Sequence, residues 1–261
     1  MQEIKLCRIQ KFDKNKFQIV VAEPCEELCL LQEAGFCVLA ELCHLQGLSE
    51  EEIAEALCRE DDVLQYENVC ICAEELSQAY LRRIWCKHQK LPVIIAETER
   101  LLIRESTKAD AEAFAELYRD PQCRKYLELP PLDNTKEQIP AYQKYIQDYQ
   151  NGQYAFYEYG MWTLVEKTSG IVIGRAGLEQ QTITQEQISL TLGYAILPQH
   201  RGKGYATEAC KAILQYCKEC EYAEKVYVKI DKENQASQAV YQKLRTVIEL
   251  ELILKESIKE T

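Results

Sequence analysis

The segment from Gln199 to Gly204 combines residue types that can bind phosphate. A predicted strand stops at Pro198, and Gln199-His-Arg-Gly-Lys-Gly204 then leads into a predicted helix. The start of a helix leaves backbone N–H groups without carbonyl partners, and glycine lets an anion come close because it has no Cβ atom. Arg201 and Lys203 add positive charge. The segment therefore predicts a phosphate or pyrophosphate site, although a tight turn that binds nothing would also explain the two glycines.

The residues around the glycines exclude two common classes of phosphate site. A P-loop requires Ser or Thr directly after Gly-Lys, whereas Gly204 follows Gly202-Lys203 here. A dinucleotide-binding fingerprint requires a third glycine at the position where Thr207 stands. The segment is therefore expected to bind phosphate in another structural context.

That context is a resemblance to the GNAT superfamily of N-acetyltransferases. Gln199-x-x-Gly202-x-Gly204 is similar to the Gln/Arg-x-x-Gly-x-Gly/Ala signature of the family, and Leu192-Gly-Tyr194 resembles the strand before it. Asn234-x-x-Ser237-x-x-x-Tyr241 resembles the second cofactor-binding segment. The opening, Glu97 to Arg104, is similar to the ribosomal-protein-alanine acetyltransferase-like branch, which acetylates protein N-termini. The resemblance covers residues 97–256 and implies an N-acetyltransferase that uses acetyl-CoA as its co-substrate.

The resemblance also implies which residues bind the coenzyme. In the family the strand before the loop splays from its neighbour, so its peptide groups would pair with the pantetheine arm and polarise the thioester carbonyl. The loop would hold the pyrophosphate. The residues assigned in this way to cofactor binding are Tyr194, Ala195, Ile196, Leu197, Gln199, His200, Arg201, Gly202, Lys203, Gly204, Tyr205, Ala206, Asn234, Ser237 and Tyr241.

Two residues are candidates for the proton transfers of the reaction. The amine attacks directly in this family, so the enzyme needs a base for the amine and a proton for the departing thiolate. Tyr241 stands where the family often places the proton donor, with a packed tyrosine as the alternative. Glu179, at the end of a predicted strand, is the candidate base, with a solvated carboxylate as the alternative.

Two departures from the family pattern leave a second function open. Many relatives carry a glutamate shortly before the Gly-Tyr pair, where this chain has Ser189-Leu-Thr-Leu192. Relatives usually have Gly-Phe where this chain has Arg245-Thr246. The alternative to an enzyme is a non-catalytic acyl-CoA-binding sensor that acts through its N-terminal domain on a protein partner. The intact phosphate-loop and Asn234 motifs favour the acetyltransferase.

The elements around these motifs predict an α/β domain with a mixed sheet over residues 96–261, and the resemblance implies the GNAT acyl-CoA N-acyltransferase fold. Thr107-Lys-Ala-Asp110 is a capping box that opens a helix. A later helix carries a tyrosine stripe, which indicates packing. Strands are predicted at residues 100–104, 154–157, 161–166, 171–179, 188–197, 225–230 and 247–254.

Residues 1–95 predict a separate small α/β domain that begins with a Rossmann-like βαβ unit. A strand over residues 17–22, a helix that ends before Gly35 and a strand over residues 36–40 form this unit. A helix is also predicted from Ala73 to about Lys87. The domain weakly resembles the carboxyl half of haloacid dehalogenase-like hydrolases, but Glu23-Pro24 follows its first strand and the Asp-x-Asp nucleophile motif is absent. We therefore expect an inert domain that serves packing, dimerisation or substrate selection.

Composition limits the partners and the compartment. A formal charge of -11 argues against nucleic acid and suits a cationic acceptor, either a small-molecule amine or a protein amino group. No apolar run is long enough for a membrane span or a signal peptide, so a cytoplasmic protein without membrane contact is expected. The 13 cysteines are scattered through apolar patterns, which indicates reduced thiols and no metal site. A homodimer is left open.

Overall fold

The fold is described from a computed structural model of the chain. It describes residues 5–8, 18–57, 66–126, 138–151, 154, 159–184, 187–220, 222–223, 225–246 and 251–256. The chain divides into two units, residues 1–93 and residues 94–261. Within these described ranges, no helix has both the length and the apolar character that a membrane span requires.

In the smaller unit, parallel strands form one sheet. Four strands lie side by side in chain order, and they are β1 (Lys5–Arg8), β2 (Gln18–Ala22), β3 (Val38–Glu41) and β4 (Val69–Cys70). The helices of this unit are α1 (Glu26–Glu33), α2 (Glu50–Leu57) and α3 (Gln78–His88).

Both faces of this sheet are covered, which explains the continuous apolar character of its central strands. Successive residues of a strand point to opposite faces. Ile19 and Val21 therefore share a core with Leu81 of α3, whereas Val20 packs in a second core with Leu28 of α1.

The start of α3 differs from the sequence prediction. The predicted helix began at Ala73, but residues 73–75 form a separate 3-10 turn and α3 begins at Gln78. The hydroxyl of Ser77 accepts a hydrogen bond from the backbone N–H of Tyr80 and so caps the helix. Because an N-cap residue has an extended backbone, Ser77 interrupts the helical conformation, and the turn at residues 73–75 cannot be continuous with α3.

In the larger unit, seven strands form one sheet. Their order is β11-β10-β9-β8-β7-β6-β5. The strands are β5 (Ile94–Glu97), β6 (Leu101–Arg104), β7 (Met161–Glu166), β8 (Val172–Thr184), β9 (Gln187–Ile196), β10 (Lys225–Ile230) and β11 (Glu251–Glu256). Neighbours from β5 to β9 are antiparallel, whereas β9, β10 and β11 are parallel, so the predicted mixed α/β sheet is confirmed.

Five helices of the larger unit lie within the described residues. They are α4 (Ala111–Arg119), α5 (Pro121–Tyr126), α6 (Gln138–Asn151), α7 (Tyr205–Glu219) and α8 (Gln235–Leu244). The predicted capping box before α4 is present, with the side chains of Thr107 and Asp110 each bonded to the other's backbone N–H. Helix α7 buries one stripe at helical spacing, which includes Cys210, Ile213 and Cys217.

The strand predictions for this unit need two corrections. Tyr154 is helical rather than extended, and the rest of the strand predicted over residues 154–157 lies outside the described residues. The last strand runs from Glu251 to Glu256, later than predicted, and residues 247–250 are likewise outside the description. The short strands β1 and β5 were not predicted, because four residues contain too little alternation to indicate a strand.

Candidate functional site

The central feature of the site is a split between β9 and β10. These parallel strands pair through Leu190 with Val226 and Thr191 with Tyr227, and over the rest of their described length they separate. Residues 192–196 line one wall of the resulting cleft and residues 228–231 line the other. The cleft encloses about 390 Å³, which lies in the range of small-ligand sites, roughly 300–1,000 Å³.

The intact edge of β9 determines which peptide groups face the cleft. Leu197 donates its backbone N–H to the carbonyl of Ile173 at 2.8 Å, on the β8 side. In an antiparallel pair, alternate residues direct their N–H and C=O groups toward the partner strand. The peptide groups of Leu192, Tyr194 and Ile196 therefore point away from β8 and into the split.

At the carboxyl end of β9 the chain forms the loop that the sequence motif predicted. A 3-10 turn covers Pro198–His200, and α7 begins at Tyr205. Gly202 and Gly204 have φ values of 74° and 85°, in the left-handed region that favours glycine. A Cβ atom at Gly202 would meet no atom within 4 Å, so the conformation of the backbone, not crowding, requires glycine there. The first N–H groups of α7 lie beside this loop at the edge of the cleft.

Arg201 is engaged by protein groups and not free for a phosphate. Its Nε donates to the carbonyl of Ile196 at 2.9 Å, and its two terminal nitrogens donate to Gln122 at 2.7 Å and to Asp120 at 2.6 Å. Burial alone would raise the pKa of Asp120, but hydrogen bonds from Arg201 and from the backbone of Cys123 lower it below its usual range. Arg201 therefore ties the loop to α5 through a closed ion pair.

The outer side of the loop is held by a second ion pair. Arg100 and Glu208 approach to 2.5 Å, and a terminal nitrogen of Arg100 also donates to the carbonyl of Lys203 at 2.9 Å. The guanidinium of Arg100 lies 4.5 Å from the centre of the Tyr205 ring, whose hydroxyl donates to Glu166. These contacts leave the exposed side chain of Lys203 as the cation that the loop itself offers to a ligand.

Helix α8 supplies the opposite wall of the cleft. Asn234 caps it, with its side-chain oxygen accepting from the backbone N–H of Ser237 at 3.1 Å. The hydroxyl of Tyr194 donates to Ser237 Oγ at 2.9 Å, so the two walls are joined by a hydrogen bond inside the cleft. Burial raises the pKa of the Tyr194 hydroxyl, and the bond to Ser237 offsets only part of that rise. Tyr194 therefore keeps its proton at neutral pH.

The two predicted proton-transfer residues lie apart from this wall. Tyr241 is buried, its hydroxyl donates to the carbonyl of Leu252 at 3.4 Å, and its side chain lines a separate recess with Ile230 and Leu254. Glu179 is exposed on β8 in register with Thr191, the residue at which the pairing of β9 with β10 ends. The roles assigned to both residues stay predictions.

The cleft includes most of the predicted cofactor residues. Leu197, Gln199, Lys203 and Tyr241 do not line it, and the other predicted cofactor residues do. Gln199 turns away because its amide donates to Glu116 at 3.1 Å.

Sequence reasoning missed part of the cleft. The lining residues that were not predicted include Gln122, Cys123 and Tyr126 of α5, Lys229 of β10, and Val240 and Lys243 of α8. The residues on α8 could have been found, because they continue the helix face of Ser237 at spacings of three. The residues on α5 could not have been found, because no local sequence pattern indicates that this helix packs beside β9. Burial raises the pKa of the Cys123 thiol to about 11, so this cysteine is a neutral wall residue.

No cluster of three or more His, Cys, Asp or Glu side chains arranged to hold a metal ion occurs in the described part of the chain. Cys217 lies on the buried face of α7, whereas Cys220 follows the last residue of that helix and is less buried.

Comparison with known proteins gives a family match over the larger unit. The family model described as "Acetyltransferase (GNAT) domain" matches residues 100–247. It does not reach residues 1–99, so the haloacid dehalogenase-like character of the smaller unit stays a prediction.

Individual relatives match a similar share of the chain. An "Uncharacterized N-acetyltransferase p20" of Bacillus licheniformis is 26% identical over 140 residues, 54% of this chain and 75% of that protein. An "Uncharacterized protein YkkB" of Bacillus subtilis (strain 168) is 30% identical over 149 residues, 56% of this chain and 81% of that protein. A ribosomal-protein-S5-alanine acetyltransferase from Vibrio fischeri has a solved structure with a TM-score of 0.48 and 15% identity, over 57% of this chain and 80% of that one.

Proposed function

Because the chain belongs to the GNAT acetyltransferase family, whose model matches more than half of its residues, we propose that its larger unit transfers the acetyl group of acetyl-CoA to a primary amine by direct attack. The protein is an acyl-CoA-dependent acetyltransferase, and acetyl-CoA is its co-substrate. The split between β9 and β10, which opens onto the glycine loop at the start of α7, is the observation that carries the proposal.

The residues around the split fit the parts of acetyl-CoA. Peptide groups of Leu192 and Tyr194 have lost their β10 partners and would hold the amides of the pantetheine arm. The backbone of Gly202 and Gly204, with the first N–H groups of α7, would hold the pyrophosphate, and Lys203 would add a positive charge. Bound in this way, the coenzyme supplies an activated acyl thioester, and the protein supplies its placement and a dipole for the thioester carbonyl.

For the proton that the departing thiolate needs, the geometry favours Tyr194 over Tyr241. Both Tyr194 and its partner Ser237 line the cleft, and because Tyr194 donates to Ser237 Oγ, the Ser237 proton can be given into the cleft and replaced by that of Tyr194. The hydroxyl of Tyr241 is directed at Leu252 on the far side of α8. A general acid must lie within hydrogen-bond reach of the group that it protonates. We therefore assign Tyr194 as the proton donor and leave Tyr241 a packing role against β11.

The acceptor amine needs a base, and Glu179 is the proposed one. The register of β8 with β9 places Glu179 one strand from Thr191, where the split begins. An exposed carboxylate at this place can remove the proton from an ammonium group directly or through a water molecule. Its negative charge also attracts a cationic acceptor, whether a small-molecule amine or a protein amino group.

A calorimetric titration with acetyl-CoA tests the proposed site. Wild-type protein should bind with a micromolar dissociation constant, and Gly202→Val should weaken binding at least tenfold, because a side chain in left-handed backbone strains the loop and blocks the approach of phosphate. Gly47→Val is the matched control, since Gly47 in the smaller unit has a φ of 86° and also no atom within 4 Å of an added Cβ.

The two variants separate a specific effect from a general one. Equal affinity of all three proteins for acetyl-CoA would refute the proposed coenzyme site. Binding that is lost in Gly202→Val, but without release of CoA in the presence of small amines or peptides with free N-termini, would instead indicate an acyl-CoA sensor.

A further inference from the structure

Arg175 of β8 is a buried cation that has no carboxylate partner among the described residues. Its side chain is 2% exposed. One terminal nitrogen donates to the hydroxyl of Tyr118 at 2.6 Å and the other to the carbonyl of Met161 at 3.4 Å. Its Nε makes no hydrogen bond, and no described acidic side chain forms an ion pair with it. Burial of a charge without a counter-ion is strongly unfavourable, so this arrangement needs a reason.

Other arginines of the same unit show what is missing. Arg104 has Asp110 at 2.8 Å, Arg201 has Asp120 at 2.6 Å and Arg100 has Glu208 at 2.5 Å. Each of these arginines is more exposed than Arg175 and still has a carboxylate. The most buried guanidinium of these four is therefore the one for which the described part of the chain supplies no carboxylate.

The groups that face Arg175 are neutral, and several are hydrogen-bond donors or aromatic faces. The guanidinium lies 4.4 Å from the centre of the Phe114 ring and 5.8 Å from that of Tyr145. Tyr118 receives a hydrogen bond from Arg175, so its own proton is available to an acceptor. The aromatic faces can stabilise the guanidinium when no ligand is bound. When an anion binds, the hydroxyl of Tyr118 can donate a hydrogen bond to it.

The position of Arg175 relates it to the cleft. In the register of β8 with β9, Arg175 lies opposite Ala195, which lines the cleft, and Glu179 lies further along the same strand. Because both are odd-numbered residues of one strand, their side chains leave the same face of the sheet. Tyr145 is 46% exposed and covers Arg175 from that face. Because Arg175 is 2% exposed, a ligand can reach its guanidinium only after a neighbouring side chain moves, and Tyr145 is the exposed one.

We propose that Arg175 is the anchor for a carboxylate of the acceptor, so that the acceptor is a small amine that also carries a carboxylate. The ammonium end would lie toward Glu179 and the start of the split, and the carboxylate end at Arg175. This rests on the proposed function, because it names the class of amine that the same site takes. The carboxylate supplies the counter-ion that the described residues do not provide, and a planar guanidinium binds it through two parallel hydrogen bonds.

Binding of matched acids and amides tests the anchor without relying on turnover. The probes are glycine, β-alanine, 4-aminobutyrate, 5-aminovalerate and 6-aminohexanoate, each paired with its primary amide and titrated calorimetrically into protein saturated with CoA. At least one acid should bind wild-type protein at least tenfold more tightly than its amide. In Arg175→Met, which keeps an unbranched side chain without the charge, the two affinities should agree to within about twofold. Lys211→Met, at an exposed position of α7, controls for loss of a positive charge and should keep the wild-type ratio.

Each result decides the matter. Equal affinities of acid and amide in the wild type, binding of neither, or a preference for the acid that survives in Arg175→Met would overturn the proposal. If Arg175→Met does not fold, Arg175→Lys replaces it, and a ratio reduced at least threefold from that of the wild type is expected, because an ammonium cannot form the two parallel bonds. The coenzyme site is tested separately by the acetyl-CoA titration of wild-type protein and Gly202→Val. If the acids bind more tightly than their amides but acetyl-CoA does not bind, the proposed coenzyme site is refuted and the carboxylate site at Arg175 is supported.

Discussion

Replacing Arg201 or Asp120 by alanine should weaken acetyl-CoA binding, and the double variant should bind no more weakly than Arg201→Ala. Arg201 joins the phosphate loop to α5 through its ion pair with Asp120 at 2.6 Å. If its role is to hold the loop in the conformation that binds, loss of either partner breaks this ion pair and lowers the population of that conformation. This differs from the role that the family pattern implies for Arg201, which is direct contact with the pyrophosphate.

The size of the effect follows from the burial of the pair. The side chains are 29% and 13% exposed, between a surface pair and a fully buried one. Surface pairs contribute about 0–1 kcal/mol, and breaking a buried pair costs about 3–5 kcal/mol. We therefore expect a coupling free energy of about 1–2 kcal/mol, which corresponds to a factor of about 5–30 in affinity.

The assay is a double-mutant cycle on the dissociation constant of acetyl-CoA, with Lys211→Ala as a control for charge. The free energy of unfolding is measured in parallel in a Trp85→Phe background, because the buried Trp162 then remains as the one tryptophan and reports on the larger unit alone. If the ion pair of Arg201 with Asp120 holds the loop in place, the effects of the two substitutions should be non-additive both in the free energy of acetyl-CoA binding and in the free energy of unfolding. If Asp120→Ala leaves the affinity for acetyl-CoA unchanged or raises it, while Arg201→Ala lowers it, then Arg201 binds the coenzyme directly. That result would refute a purely structural role of the ion pair.

Two further predictions concern the proton donor and the response to acid. Tyr194→Phe should lower kcat for amine acetylation at least about tenfold, with little change in the affinity for acetyl-CoA. Tyr241→Phe should leave kcat within about twofold of the wild-type value. A larger loss of kcat in Tyr241→Phe than in Tyr194→Phe would identify Tyr241 as the proton donor. For Asp110, burial alone would raise the pKa, but hydrogen bonds from Arg104, Thr107 and Thr163 hold it below its usual range. A carboxylate with a lowered pKa stabilises the fold above the pKa of the unfolded chain, about 3.9, and this stability is lost as the pH falls through the folded-state pKa. Thermal unfolding of the larger unit should therefore show a decrease in stability below about pH 4, and Asp110→Asn should flatten that decrease; an unchanged pH profile would contradict the assignment.

The parts of the fold that were predictable are those that local chemistry decides. Thr107 and Asp110 form the capping box that their spacing indicates, and Gly202 and Gly204 adopt the left-handed backbone that the motif needs. In each case a few neighbouring residues contain all the interacting groups. The strand β9 was likewise evident, because alternation and a terminal proline lie within ten residues.

The parts that were not predictable depend on residues far apart in the chain. The local patterns of β9 and β10 do not indicate that the strands separate after Thr191, because both continue to resemble strands beyond it, and the separation was expected only from the family resemblance. The residues of α5 reach the cleft through tertiary contacts, which include the bond of Arg201 to Asp120, 81 positions earlier, and the packing of Cys123 against Ala195. The direction of the Tyr241 hydroxyl depends on its hydrogen bond to β11, and the pairing of β11 with β10 is a tertiary contact that local sequence does not indicate.

The contacts of Arg201 also connect the two ends of the cleft. Its Nε fixes the carbonyl of Ile196 on the coenzyme wall, and its terminal nitrogens fix Asp120 and Gln122 on the α5 wall. Ile196 and Arg175 belong to strands that pair residue for residue at this point, with Gly174 opposite Ile196. Because hydrogen bonds join the loop to α5 and, through β9, to β8, we expect a disturbance of the loop to affect both elements. Because Tyr118, the partner of Arg175, lies on the helix that directly precedes Asp120, an Arg201 variant should lower the affinity for the acceptor as well as for acetyl-CoA.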